Sequence, residues 1–530
     1  MRPGARGAGL FAACALAMAA AAHAQPVPLT LADATARALE RLPAVAIQRD
    51  AIEIAAQREV RAAAAYDPVL RFEGRARTHT DPLNTLFVGA PPGALGPRTT
   101  GVQTSVAWSR LFQGGGTLAV TGSLARDTTN GRFALLSPAW LTSAGLEFRQ
   151  PLRAGRRIDA QRHAVKVSAL DATRSRAALE RVVSDTVAAT ERAYWAVLAR
   201  REDVQTREQS LTRAEAQRDD VAVRIEAGTA AEADAAAPLA EIARRRADLV
   251  RARDEATRAA IALRHLMAGS TDAPDWSLAF AIADEPPPPP RVAPVDVLVA
   301  EALARRAELD VVEAERQMAA LDTALARDRT RTQVDLVASY TLRGLAGREN
   351  EDMVVPFPGA SIVVPSAQQG GLDDALQTLA MHRFSDAWVG VTIGLPVGRR
   401  AAKADMEAAT IAERRTHLLR DQIARRIAAE VRTAAAALTA ARERVDAAQA
   451  LDAAAIDLLA AEQARFDTGQ SSTFLLLTRQ TEREQAALAL TAARADAALA
   501  TTELLRATGQ LLERRGITLA APAIDKGTSR

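Results

Sequence analysis

The chain has 530 residues, with 67 lysines and arginines against 64 acids and a formal charge of +3. Aromatic residues are only 4%, and alanine supplies much of the apolar content, which suits closely packed helices better than a thick globular core. Lysine occurs only at Lys166, Lys403 and Lys526, and no basic tract is interleaved with aromatics, so composition argues against a nucleic-acid partner.

Residues 1–24 read as a secretory signal. Arg2 and Arg6 form its charged part, Leu10 to Ala22 its apolar part, and Ala22-His23-Ala24 a small-x-small cleavage site before Gln25. The apolar run is shorter than the roughly 18 residues expected of a spanning helix. Cys14, the single cysteine, lies inside that run and is poorly placed for acylation, so cleavage after Ala24 would leave a mature chain without thiols or lipid. No later stretch reads as a transmembrane helix, so any membrane span must be a β-barrel.

Residues 25–285 form a first repeat. Its first helix opens at Leu29 to Asp33, with Thr30 and Asp33 as candidate caps, and runs to about Ala65 with a kink at Pro43. In 69–77, Leu70, Phe72, Gly74 and Ala76 alternate with Arg71, Glu73, Arg75 and Arg77, which predicts a strand. Residues 78–100 are a loop. Residues 101–112 and 117–126 read as two more strands around Gly114-Gly115-Gly116, and the sequence leaves open whether this hairpin joins a barrel. In 142–149, Ala144, Leu146 and Phe148 oppose Gly145, Glu147 and Arg149. After Pro151, a glycine-free helical run extends from Arg156 to Ala227 and stops at Gly228. About 70 residues at 1.5 Å each make a rod of roughly 100 Å. A return helix follows, then a short strand at Trp276 to Ala279. A proline-rich linker, 286–294, separates the repeats.

Residues 295–520 repeat this order, and 521–530 are a tail. A helix is expected from Val295 to Arg329 and a strand over 334–342, where Leu336, Ala338, Tyr340 and Leu342 oppose Asp335, Val337, Ser339 and Thr341. A loop over 343–385 holds a short helix at Asp373 to His382, and a strand follows over 387–395. Then comes a helix from Gly398 to Gly469 without internal glycine or proline, a return helix, and a short strand at Ile517 to Ala520. Pro151 to Gly228 spans 77 positions and Pro396 to Gly469 spans 73, a difference of about one helical turn. An offset of 241 places Arg224, Gly228, Glu241, Leu249 and Leu263 on Arg465, Gly469, Glu482, Leu490 and Leu504. The chain is an internal duplication.

Helices this long must bury their apolar faces on other helices. In the return helices, Leu239, Val250 and Ile261 are 11 residues apart, as are Leu477, Leu488 and Leu499, a spacing that favours nearly straight neighbouring staves. Strand alternation in a secreted chain predicts a barrel. Its lumen would be lined by Arg71, Glu73, Glu147, Arg149 and Asp335, while Leu70, Phe72, Leu146, Phe148 and Leu336 meet lipid. A soluble half-buried sheet gives the same alternation. Two strands per repeat cannot close a barrel alone, so the barrel would be shared between subunits.

The six histidines are scattered without metal-ligand spacing, and no helix opens after Gly114-Gly115-Gly116 to hold a phosphate. No catalytic, cofactor or metal site is expected.

These features together resemble the TolC family of outer-membrane efflux proteins. The resemblance rests on the Pro151 and Pro396 strand exits and on the tips Glu226-Ala227-Gly228-Thr229 and Asp467-Thr468-Gly469-Gln470. It also rests on Leu42-Pro43-Ala44 and Ala307-Glu308-Leu309, and it covers nearly all of 29–521. It implies a mainly α protein with a transmembrane β-barrel, whose duplicated helical hairpins form a trimeric periplasmic α-barrel. About four strands per chain would make a twelve-stranded barrel in outer-membrane lipid. It further implies a homotrimer without an active site, working as exit duct for an inner-membrane pump through a periplasmic adaptor. The adaptor would dock on Gly228, Thr229, Gly469, Gln470 and Ser471, beyond which Thr229 and Ser471 or Ser472 are expected to cap the return helices. The family often carries acids beyond the second tip. Here that stretch, Ser471 to Thr478, has none, and Glu232 and Asp234 in the first repeat are the candidates for the periplasmic entrance. A secreted coiled-coil adhesin is the alternative, but it has no need of the alternating strands or the duplicated tip glycine.

Overall fold

The computed structural model describes residues 27–84, 88–229, 231–277, 279–355, 359, 362–395 and 397–519. The signal segment 1–24, the strand exit at Pro396, the tail 521–530 and the side chain of Asp234 lie outside the described residues.

In chain order the first repeat comprises β1 (Val27–Leu29), α1 (Leu31–Arg41), α2 (Pro43–Ala63), β2 (Val69–Thr80), β3 (Arg98–Leu111), β4 (Thr117–Thr129), β5 (Leu136–Pro151), α3 (Ala160–Glu226), α4 (Ala236–Met267) and β6 (Phe280–Ile282). The second comprises α5 (Val295–Arg305), α6 (Ala307–Arg329), β7 (Gln333–Glu349), α7 (Leu372–Ala380), β8 (Phe384–Gly394), α8 (Arg400–Asp467), α9 (Thr473–Ala507) and α10 (Leu511–Arg514). The chain divides into two compact units that each draw on both repeats. One takes in 1–53, 173–313 and 419–530, the other 54–172 and 314–418.

In the first unit, Thr30 caps α1 by accepting from the Asp33 amide at 3.1 Å, and Pro43 opens α2 where its missing N–H costs nothing. The second repeat departs from the expected unbroken helix over 295–329. It breaks at Arg306, which is extended, with ψ at 119°. No proline forces this break. The Arg306 guanidinium is buried and donates to Glu308 at 2.5 and 2.9 Å, to Glu430 at 3.2 Å and to the Ala507 carbonyl at 3.2 Å. Each break receives a glycine: a Cβ on Gly269 would lie 3.2 Å from Arg41, and one on Gly509 3.2 Å from Arg305.

Apolar faces bury as the duplication requires. Val183 and Val187 of α3 pack with Val45 and Ile52 of α2; Ile427, Val431 and Leu438 of α8 pack with Leu298 and Ala302 of α5. A third cluster joins Leu29, Tyr194, Trp195, Leu263, Met267 and Phe280. There β1 pairs in parallel with β6, and the Tyr194 hydroxyl lies 2.9 Å from the Leu29 carbonyl and 2.7 Å from Asp284. The short strands expected at 276–279 and 517–520 are not found among the described residues. Trp276 closes a 3₁₀ turn, the strand begins four residues later opposite β1, and Ile517 packs as coil beside Leu505 and Leu511.

In the second unit, one antiparallel sheet runs in the order β2-β3-β4-β5-β7-β8. The four expected strands are all present, and the hairpin whose place the sequence left open, now β3–β4, lies between β2 and β5. The short α7 lies over β5 and β7, where Thr142 donates to the Ala375 carbonyl at 3.2 Å. A Cβ at Gly344 would come within 2.1 Å of the same oxygen.

Candidate functional site

Register decides which side chains share a face. Because Leu70, Trp108, Val120, Leu146 and Tyr340 are successive cross-strand partners, one face carries Leu70, Phe72, Val106, Leu124, Phe148, Leu336 and Val391. The other face carries Arg71, Glu73, Glu147, Arg149 and Asp335, together with Gln103, Ser105, Thr121, Ser123 and Thr392. The five residues singled out from the sequence thus lie on one polar face. Glu73 accepts from Arg75 at 2.7 Å, and Ser123 and Ser143 are 2.7 Å apart.

At the helix-proximal end of this face Arg149 is fixed by Asp335. Its Nε and Nη2 donate to Asp335 Oδ2 at 3.0 and 2.5 Å, and Gln333 donates to the same oxygen at 2.7 Å. The Asp335 side chain is 2% exposed, and its Oδ1 has no partner among the described residues. This pair spans 186 positions, and strand alternation alone could not reveal it.

The two helix tips share one geometry. Gly228 and Gly469 have φ of +69° and +74°, a conformation that glycine adopts without a Cβ penalty. Thr229 N donates to the Arg224 carbonyl at 2.8 Å and Gly228 N to Ile225 at 3.0 Å. Gln470 N donates to Arg465 at 2.8 Å and Gly469 N to Phe466 at 3.0 Å. Each is a Schellman closure that satisfies the last carbonyls of a helix of 67 or 68 residues. Thr229 does not cap the return helix. Its hydroxyl turns back to the Arg224 carbonyl at 3.0 Å, and a 3₁₀ turn over 232–235 leads into α4 instead. In the second tip Ser472 is the cap, accepting from Leu475 N at 3.3 Å, while Ser471 donates to the buried Glu462. Glu232 is exposed in the 3₁₀ turn.

Two links between the repeats were not foreseen. The Arg224 guanidinium sits 4.5 Å from the centroid of the Phe466 ring, so the first tip rests on the second. Farther along, buried Arg245 of α4 donates to Glu241 at 2.8 Å and to the Ser210 carbonyl at 2.8 Å; the Ser210 hydroxyl donates to Glu484 of α9. Arg224 stood out in the repeat alignment, but nothing in one sequence showed that its partner comes from the other repeat. Among the described residues no group of three or more His, Cys, Asp or Glu is placed to hold a metal, and no helix is long and apolar enough to cross a membrane.

Duplicated helical hairpins and a sheet with one apolar and one polar face make up a fold that the chain shares with solved outer-membrane channels. Among solved structures, the chain is similar to the Campylobacter jejuni CmeC outer membrane channel, at 13% identity and a TM-score of 0.62, covering 91% of this chain and 86% of that one. It is also similar to the outer membrane protein VceC of Vibrio cholerae, at 14% identity and a TM-score of 0.60, covering 90% of this chain and 96% of that one. A third is the open state of the Neisseria gonorrhoeae MtrE outer membrane channel, at 15% identity and a TM-score of 0.58, covering 92% and 91%. No protein-family model and no curated protein matches the sequence.

Proposed function

We propose that the protein is the outer-membrane exit duct of a tripartite efflux or type I secretion system. It resides in the outer membrane, extends into the periplasm, and passes substrates from an inner-membrane pump without chemistry of its own. The observation that carries this reading is the two-faced sheet, apolar at Leu70, Phe148 and Val391 and polar at Arg71, Glu147 and Asp335, in a chain that also carries two tip-closed helical hairpins. The working unit is a homotrimer. In support, Leu239, Val250 and Ile261 form an exposed stripe on α4, and Leu451 and Leu458 another on α8. A single chain leaves both uncovered.

In this duct Arg71, Glu73, Glu147, Arg149 and Asp335 face the barrel lumen, and Glu232 and Asp234 stand at the periplasmic entrance. A periplasmic adaptor docks on the tips at Gly228, Thr229, Gly469, Gln470 and Ser471. Three chains with two similar tips each would present six repeats of one contact. Thiols at Thr229→Cys and Gln470→Cys, in a Cys14→Ser background, are expected to crosslink to the adaptor, and a thiol at Lys403→Cys is not. Trimers in the outer membrane without tip-specific crosslinks would overturn the docking assignment. Unchanged substrate accumulation on deleting the gene would overturn the efflux reading.

A further inference from the structure

The sheet holds two strands more than the twelve-stranded arrangement needs. We infer that three copies of this chain close an eighteen-stranded barrel, with β3 and β4 as full wall strands and the β8 edge of each copy paired to β2 of the next. This deepens the exit-duct reading and rests on it.

Three observations carry the inference. First, the hairpin is fully integrated. Every residue of β2 has a partner on β3, thirteen consecutive residues of β3 have partners on β4, and eleven of β4 have partners on β5. A flap resting beside the wall would leave β2 and β5 paired to each other. Second, the hairpin obeys the same two-faced pattern as its neighbours. Val102, Val106, Leu118 and Val120 continue the apolar face; Gln103, Ser105, Thr121 and Ser123 continue the polar one. Third, the sheet is open at β2 and β8, and those strands expose Phe72 at 72%, Val389 at 75% and Ile393 at 67%. Apolar strands with a free edge demand a partner. Six alternating strands leave β8 antiparallel to β2, so the next copy continues the ladder without a break. Counted from their helix-side ends, Arg77 is eight residues into β2 and Asp386 eight residues into β8. Both lie on the polar face, so the seam brings opposite charges level.

The added strands set the width. With strands about 4.8 Å apart and tilted by about 40°, eighteen give a backbone diameter of about 36 Å, against about 24 Å for twelve. An α-helix with its side chains is about 10–12 Å across, so a polypeptide with local helical structure would pass such a wall without unfolding.

Disulfide trapping in outer membranes, in a Cys14→Ser background, tests the seam and the hairpin separately. Arg77→Cys with Asp386→Cys should link neighbouring chains into a covalent trimer. Glu73→Cys with Ser105→Cys should close an intrachain link in most of the trimer, and Glu73→Cys with Glu147→Cys should not. A Glu73–Glu147 link in a seam-linked trimer would mean that β2 pairs directly with β5, which overturns the eighteen-strand wall and leaves the exit duct standing. Loss of the trimer in unmodified protein would instead sink the exit-duct reading, and this inference with it.

Discussion

At Phe148 and Arg149, adjacent side chains point to opposite faces of β5, and their substitutions test the proposed lipid and lumen faces separately. Phe148→Arg places a charge on the apolar face and, if that face meets lipid near the membrane midplane as proposed, is expected to cost about 2–4 kcal/mol. Lumen-facing positions are ordinarily tolerant, and alternation alone predicts a small effect at Arg149. Its bond to buried Asp335 reverses that expectation. Arg149→Ser strands a carboxylate at the base of the wall. Because Arg149 is itself 47% exposed, the loss should be about 1–3 kcal/mol, below that of a fully buried pair. Adding Asp335→Asn should recover most of the trimer yield. Heat-modified gel migration of the three variants reads this, and a double variant no better than Arg149→Ser would rule the pairing out as the cause. The two faces were legible because strand side chains have a period of two. The Arg149–Asp335 pair was not, because it depends on which strands become neighbours.

The long helices were legible almost to their ends, since glycine and proline punctuate them and no tertiary contact is needed to stop them. The break at Arg306 was hidden: the first repeat marks its own with Pro43, whereas the second holds it with bonds to Glu430 and Ala507, far along the chain. The inserted hairpin was readable as two strands, but alternation does not name a strand's partners. At each break a Cβ would press within 3.2 Å of the preceding arginine, and Gly509 also has φ of +73°, so Gly269→Val and Gly509→Val, which add more than a Cβ, should each destabilise the helical unit by about 1–3 kcal/mol. Gly228→Ala and Gly469→Ala meet no neighbouring atom and should cost only the backbone term, about 1–2 kcal/mol. Chemical denaturation followed by helical circular dichroism checks this order.

The same unit carries a charge cluster that responds to pH. Burial, then Asp310 and Glu308, hold Glu180 above the ordinary carboxyl range; burial also raises Asp310, and it raises Asp185 despite Arg506. Burial pushes Glu308 the same way, but the bond and charge of Arg306 outweigh it and leave Glu308 low. The raised groups bind protons more tightly when folded, so acidification from neutral should first strengthen the fold. Below about pH 4 protonation of Glu308 takes over and stability falls. Thermal melts across pH should show that rise, and Glu180→Gln with Asp185→Asn and Asp310→Asn should flatten it; a rise that persists in the triple variant would place its source elsewhere.

For the whole molecule, the β3–β4 hairpin bears on how such walls change over evolutionary time. A single added strand would reverse the direction of everything after it and send α3 out of the wrong end of the sheet. A hairpin restores direction and is the smallest insertion that leaves both helix connections where they were. Symmetry multiplies the step, since one insertion in the gene appears once in every copy. If three copies close the wall as inferred, each such hairpin changes the strand number by six at once, and the first repeat carries one such hairpin that the second lacks.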